Sequence, residues 1–222
     1  MAVTRSLFFQ IAFLVLLNQK IAQAGSSDKV YGVVLSLNSS IKQQYLDAHN
    51  KFRAGEEAAN MRALSWDDKL EKLAKDWARR CEGTHRPTEQ RKDIGPYWYV
   101  GENIYWDSDV RDKYKPKKAV QWWFDEKPYY MYTQPGNCTG GIDCLHYGQV
   151  VWADSCTLGC SVAMCSKLKN TGKVKSGFIV VCCYGPGGNV IGEKPYIKGK
   201  KQCAGCKGKC VNNLCEDKCP GS

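Results

Sequence analysis

The first eighty of the 222 residues contain no cysteine, and the chain holds only three histidines, His49, His85 and His146. No apolar run reaches the roughly 20 residues needed to cross a hydrocarbon core of about 30 Å, so no membrane anchor is expected. Acidic residues are the minority, 22 against 32 basic ones, for a formal charge of +10. The excess is spread along the chain apart from Lys194, Lys198, Lys200 and Lys201. That spread argues against nucleic acid as a partner and for a solvated surface or an anionic membrane face.

What the chain does contain begins at its first residues. Arg5, the apolar run Leu7 to Leu17 broken only by Gln10, and Ala22-Gln23-Ala24 follow one another in the order of a secretory signal with a small-x-small cleavage site. A buried N-terminal helix has no need of that order. Cleavage after Ala24 leaves 198 residues with a formal charge of +8, enough for one sizeable core, since a domain of that length buries roughly 70% of its unfolded surface. In the oxidising space outside the cell, thirteen cysteines read as a disulfide framework with one thiol left over, rather than as thiolate metal sites. Two sequons, Asn38-Ser39-Ser40 and Asn137-Cys138-Thr139, mark surface asparagines open to glycosylation.

Residues 25–40 are polar or mixed and read as an N-terminal arm outside the core. Ser40 with Gln43 makes a capping box, and Ile41, Tyr45, Ala48 and Phe52 recur at helical spacing, predicting a helix over 41–54. Ser65 with Asp68 repeats the signal ahead of Leu70, Leu73, Ala74, Trp77, Ala78 and Cys81, the clearest amphipathic stripe in the chain. Pro116 opens a third, short aromatic helix through Ala119, Val120, Trp123 and Phe124, closed before Pro128. From His146 onward three apolar runs, Tyr147 to Ala153, Leu158 to Cys165 and Gly177 to Tyr184, are separated by turn residues and predict an antiparallel meander. Helices followed by strands give an α+β class. In the tail, Cys203, Cys206, Cys210, Cys215 and Cys219 stand close together among lysines and glycines. Too few apolar residues are left there for a core, so it reads as a separate disulfide-held module. The expected division is a signal over 1–24, an arm over 25–40, a main domain over 41–192 and a cysteine-rich tail over 193–222.

Four segments then occur in a fixed order: Ala48-His49-Asn50-x-x-Arg53, Cys81-x-x-x-His85, Gly101-Glu102-Asn103-Ile104, and His146-Tyr147-Gly148-Gln149-Val150-Val151-Trp152. Cys182-Cys183-Tyr184-Gly185-Pro186-Gly187-Gly188-Asn189 closes the series. Over residues 41–191 the chain thereby resembles the CAP superfamily (cysteine-rich secretory proteins, antigen 5 and plant pathogenesis-related proteins), and in particular the venom allergen-like proteins of parasitic worms such as flatworms. Leu145, Gly148 and Cys183 depart from the residues usual at those positions. The resemblance implies an α-β-α sandwich with a central antiparallel sheet.

It also implies candidate sites. The family's cleft of two histidines and two glutamates maps to His85, Glu102, Glu126 and His146, a donor set suited to zinc or magnesium. The same side chains serve equally well as hydrogen-bond ties between sheet and helices, and no cofactor is required. Catalysis is not expected, because a hydrolytic site needs an open coordination position and a placed base; nor do the three histidines leave one for a Ser-His-Asp or Cys-His nucleophile. His49 reads as a satisfied packing residue. The loop with Pro128, Tyr129, Tyr130, Met131, Tyr132 and Pro135 corresponds to the family's sterol-binding segment, and Ile41, Tyr45 and Phe52 to a fatty-acid channel between the first and fourth helices. Both sets have a plain alternative as core packing. The implied disulfides are Cys81–Cys165, Cys160–Cys182, Cys138–Cys144 and, for the remaining pair, Cys156–Cys183, which leaves the odd thiol in the tail. The function so implied is a secreted carrier of sterols and fatty acids at a host–parasite boundary, with a host protein engaged by the tail as the alternative and a metal-dependent hydrolase third.

Overall fold

The computed structural model describes residues 32–219, so the signal over 1–24 and the start of the arm lie outside the described residues. In chain order the strands are β1 (Gly32–Leu35), β2 (Ser65–Trp66), β3 (Lys92–Ile94), β4 (Tyr97–Tyr99), β5 (Gly101–Asp107), β6 (Thr157–Cys165), β7 (Gly177–Gly185), β8 (Cys210–Val211) and β9 (Leu214–Cys215). The α-helices are α1 (Ser39–Ala54), α2 (Asp68–Ala78), α3 (Pro116–Phe124) and α4 (Leu145–Val150). The main sheet runs β1-β6-β7-β5, all antiparallel, with β2 added in parallel beside β6.

Period-two alternation sets the layers. Phe178, Val180, Cys182 and Tyr184 of β7 face a core shared with α1, α3 and α4, including Tyr45, Trp123 and Tyr147. The intervening Ile179, Val181 and Cys183 face α2, where Leu70, Ala74, Trp77 and Ala78 cover them. Buried on both faces, β6 and β7 read as continuous apolar runs. The result is the α-β-α sandwich that the resemblance implies.

Several local expectations are corrected. Part of the arm, Gly32–Leu35, is an edge strand paired to β6 from Gly32↔Cys165 to Leu35↔Val162; a four-residue strand carries too little pattern to stand out. Asn38, not Ser40, caps α1, its Oδ1 accepting from Ile41 N at 2.9 Å. Asp67, not Ser65, caps α2 by accepting from Lys69 N and Leu70 N. Within the first of the three apolar runs lies α4 rather than a strand, since a short apolar run does not distinguish a buried helical turn from a strand. The third place in the meander is taken by β5, paired with β7 from Gly101↔Tyr184 to Asp107↔Phe178.

Disulfides join Cys81 to Cys165, Cys138 to Cys144 and Cys160 to Cys182. The Cys156–Cys183 pair is corrected: Cys156 bonds Cys219, and Cys183 is a free, buried thiol. Adjacent strand residues point to opposite faces, so Cys182 meets Cys160 directly across the ladder while Cys183 turns under α2. The other cysteines on that side, Cys81 and Cys165, already bond each other. The odd thiol therefore belongs to the sheet and not to the tail.

Nor is the tail separate. Cys203–Cys210 and Cys206–Cys215 hold it internally, and it hydrogen-bonds along the segment after α1: Ala59 N to Ile197 O (2.8 Å), Gly205 N to Ala59 O (2.8 Å) and Cys215 N to Met61 O (2.7 Å). Tyr196 and Leu214 are buried in the main core. A segment too poor in apolar residues for its own core uses that of the domain.

Candidate functional site

The first motif turns out to be scaffolding. His49 Nδ1 lies 2.7 Å from Tyr45 O, and Nε2 lies 2.9 Å from Tyr184 Oη. A carbonyl only accepts, so Nδ1 carries the proton and the Tyr184 hydroxyl donates to Nε2. Burial, helped by the Arg53 charge, pushes the imidazole down to about 4. Asn50 donates to Leu64 O and accepts from Leu64 N. Arg53, fully buried, donates to the carbonyls of Arg62, Val150, Trp152 and Ser155 at 2.7–3.0 Å. Together they bind α1 to the Arg62–Leu64 segment that follows it and to the backbone from Val150 to Ser155, and Asn103 extends the network by donating to His146 O and Tyr184 Oη.

That scaffold positions the cleft. His85 follows the end of α2, Glu102 is on β5, Glu126 follows α3 and His146 is on α4. Glu102 Oε1 accepts from His85 Nδ1 (3.0 Å) and Arg86 N (2.9 Å). Glu126 accepts from His146 Nδ1 (2.7 Å) at one oxygen and from Tyr147 N (3.2 Å) at the other. Each histidine thus gives Nδ1 to a buried carboxylate and keeps Nε2 for another partner, the arrangement by which carboxylates orient metal-binding imidazoles. The two ring centroids are 6.1 Å apart. An imidazole ligating at about 2.0–2.1 Å has its centroid about 3 Å from the ion, so this separation lies at the upper limit for one ion held by both rings.

The cavity here has a volume of about 300 Å³ and is lined by His85, Glu102, His146, Asp143, Tyr99 and Asn189 among others. Glu102 Oε2 is buried with no hydrogen-bond partner, an orphan whose cost a cation would relieve. Asp143 is the residue that sequence reasoning missed. Its carboxylate lies with Glu126 and His146 in a group whose ligand atoms all fall within 4.8 Å, close enough to hold a metal ion. Its spacing, three residues before His146 in the loop closed by Cys138–Cys144, was the available signal. Cys203, Cys206 and Cys215 also cluster, but their sulfurs are spent on disulfides.

The aromatic loop lies partly folded down. Tyr130 packs on Tyr147 with centroids 5.4 Å apart, and Tyr132 donates to Tyr196 O at 2.6 Å. Gly148 makes the first contact possible: a Cβ there would lie 2.4 Å from Asn189 Oδ1 and 3.0 Å from Tyr130 Cε2. Pro128 and Tyr129 are exposed, and Met131 and Pro135 are half-buried. Of the channel residues, Tyr45 is in the core and Ile41 packs against it; only Phe52 lines a groove, of about 270 Å³, with Gln44, Asp47, Ala48, Lys51 and Lys117. The groove lies between α1 and α3, because the α1 stripe turns Tyr45 inward and leaves Ala48 and Phe52 at its margin, facing Lys117 of α3. Asn38 and Asn137 are both exposed.

The family model described as "CAP: Cysteine-rich secretory protein family" matches residues 46–184. The chain is 38% identical to human GLIPR1-like protein 1 over 77% of this chain and 69% of that protein. It is also 38% identical to human cysteine-rich secretory protein LCCL domain-containing 2, over 78% of this chain but only 36% of that longer protein. Among solved structures, it resembles NaASP2 crystallised with Zn2+ (32% identity, TM-score 0.66, 81% of this chain and 97% of that one). It is similar as well to Schistosoma mansoni venom allergen-like protein 4 (25% identity, TM-score 0.54, 73% and 97%). With its helices, antiparallel sheet, disulfide-rich extension and four-residue cleft, the chain belongs to the CAP family of cysteine-rich secretory proteins.

Proposed function

We propose that the protein is a secreted lipid carrier, taking a fatty acid in the groove between α1 and α3 and a sterol at the aromatic loop, and working at the boundary between a parasite and its host. The observation that carries this reading is the groove. Its apolar wall is Ala48 with Phe52, which stacks on Phe124 at 4.2 Å, and Lys51 and Lys117 stand at its rim. An acyl chain gains roughly 0.8 kcal/mol per methylene buried against such a wall, and a lysine ammonium complements its carboxylate. For sterol the exposed Tyr129 is the contact, since Tyr130 and Tyr132 are committed to the body of the domain. The host–parasite setting rests on the likeness to venom allergen-like proteins. Six disulfides fit an extracellular protein.

Protein incubated with radiolabelled palmitate and cholesterol should retain both through gel filtration, and Phe52→Asp should lose palmitate alone. Retention no greater than that of an unrelated protein would sink the carrier reading.

The cleft favours a second reading, a divalent metal ion held by His85 and His146 through the Nε2 atoms that the glutamates leave free, in the cavity that Asp143 also lines. Zinc is the ion named with one structural neighbour. This site carries no proposed catalysis, because both glutamates are engaged in orienting the histidines.

A further inference from the structure

Where the chain leaves the sheet, Glu193 N donates to Val190 O at 3.0 Å and closes a tight turn, with Gly192 at φ +81°. Glycine takes that left-handed backbone without a Cβ penalty, and Ile191 is lifted to the tip, 99% exposed. Ile197 follows at 62% exposure. Around them stand lysines. Lys194 and Lys198 place Nζ over the same Tyr132 ring, at 5.3 and 4.5 Å. Lys198 and Lys200 line one open hollow of about 650 Å³, and Lys201 is the next residue. Among the described residues none of these four lysines is in an ion pair. The acids lining this hollow and a neighbouring one formed by Tyr132, Pro195, Tyr196 and Ile197 are Glu57, Asp154 and Glu193.

We propose that the segment from Ile191 to Lys201 is a docking face that seats the protein on an anionic phospholipid bilayer. An aliphatic tip that buries nothing in the protein gains by entering the acyl boundary, and unpaired lysines gain at anionic headgroups. A sulfated polysaccharide would use the lysines but has no use for Ile191. The face is held firmly from behind: Ala153 N donates to Pro195 O (2.6 Å), Ala59 N to Ile197 O (2.8 Å) and Tyr132 Oη to Tyr196 O (2.6 Å). Through Tyr132 it adjoins the aromatic loop, so a docked molecule would hold that loop near the lipid surface. Docking does not depend on the carrier reading, because palmitate retention is measured with no membrane present.

The test is cosedimentation of the secreted protein with vesicles of phosphatidylcholine alone or with about 30 mol% phosphatidylserine, a composition that gives a strongly anionic surface. Binding should require phosphatidylserine and should weaken as salt rises from about 0.05 to about 0.5 M. Neutralising Lys198, Lys200 and Lys201 to Gln should cost about fivefold per lysine, and Ile191→Ser should weaken binding at unchanged charge. Lys72→Gln with Lys75→Gln, on exposed positions of α2, should bind as the parent does. Overturning results are equal binding to neutral vesicles, no binding, indifference to Ile191→Ser, or salt-sensitive capture by heparin without vesicle binding. Unchanged gel-filtration and circular-dichroism profiles certify each variant as folded.

Discussion

Protonating His49 should unfold the protein's scaffold from within. Its ring is completely buried, and each nitrogen has a partner that fits only the neutral form with the proton on Nδ1: Tyr45 O accepts from that atom, and Tyr184 Oη donates to Nε2. Burial first, then Arg53, lowers its pKa from 6.5 to about 4. Between those values the unfolded chain binds a proton that the folded chain does not, so stability falls as the pH drops from 6.5 to 4. At 1.36 kcal/mol per unit, the loss attributable to this one group is about 3 kcal/mol. Urea unfolding of the parent and of His49→Gln at pH 7 and pH 4 isolates it, since carboxylate titrations common to both proteins cancel in the difference. The stability gap between parent and variant should narrow by about 3 kcal/mol at the lower pH. An equal gap at both values would refute the assignment of His49 as a buried neutral imidazole.

Other perturbations test other parts of the fold. Arg53→Met strands the carbonyls of Arg62, Val150, Trp152 and Ser155 and should cost at least about 3 kcal/mol, since each buried acceptor left without a donor costs about 1–3 kcal/mol, read by chemical denaturation. Cys156→Ser with Cys219→Ser opens a bridge between residues 63 apart and should destabilise by up to about 4 kcal/mol on loop entropy, read as a lower Tm. Cys183, whose thiol burial pushes well up, should resist iodoacetamide in the native protein and take up a single label after denaturation without reductant. Glu126→Gln removes the carboxylate from His146 Nδ1 and should weaken zinc binding 10–100-fold, measured by titration calorimetry.

Much of the cleft was legible only through the family resemblance that the ordered motifs carry, since nothing in the spacing of Glu126 or His146 alone marks them as neighbours. His85, Glu102, Glu126 and His146 do converge, but as two Glu–His pairs rather than four equivalent ligands. Asp143 escaped notice because an exposed acid in a loop looks like any other solvated charge. The lipid-site residues fared unevenly for a related reason. A helical stripe shows that Ile41, Tyr45 and Phe52 share a face, yet how deep each lies depends on what packs against it, and α3 left only Phe52 at a groove.

Periodicity and composition by themselves determined three helices, two long buried strands, the α+β class and a disulfide framework, since those follow from the spacing of apolar residues and the count of cysteines along a local stretch. Tertiary structure alone decided which partner each of them meets. The short β1 became a strand by pairing with β6, the run from Leu145 to Val150 became a helix while β5 took the place beside β7, and the tail lost its independence to the backbone after α1. The cysteines show the reason most plainly. Cys182 and Cys183 are adjacent in the chain, but strand alternation sends one to Cys160 and the other beneath α2, so a disulfide is decided by which face a side chain occupies and not by how many thiols remain.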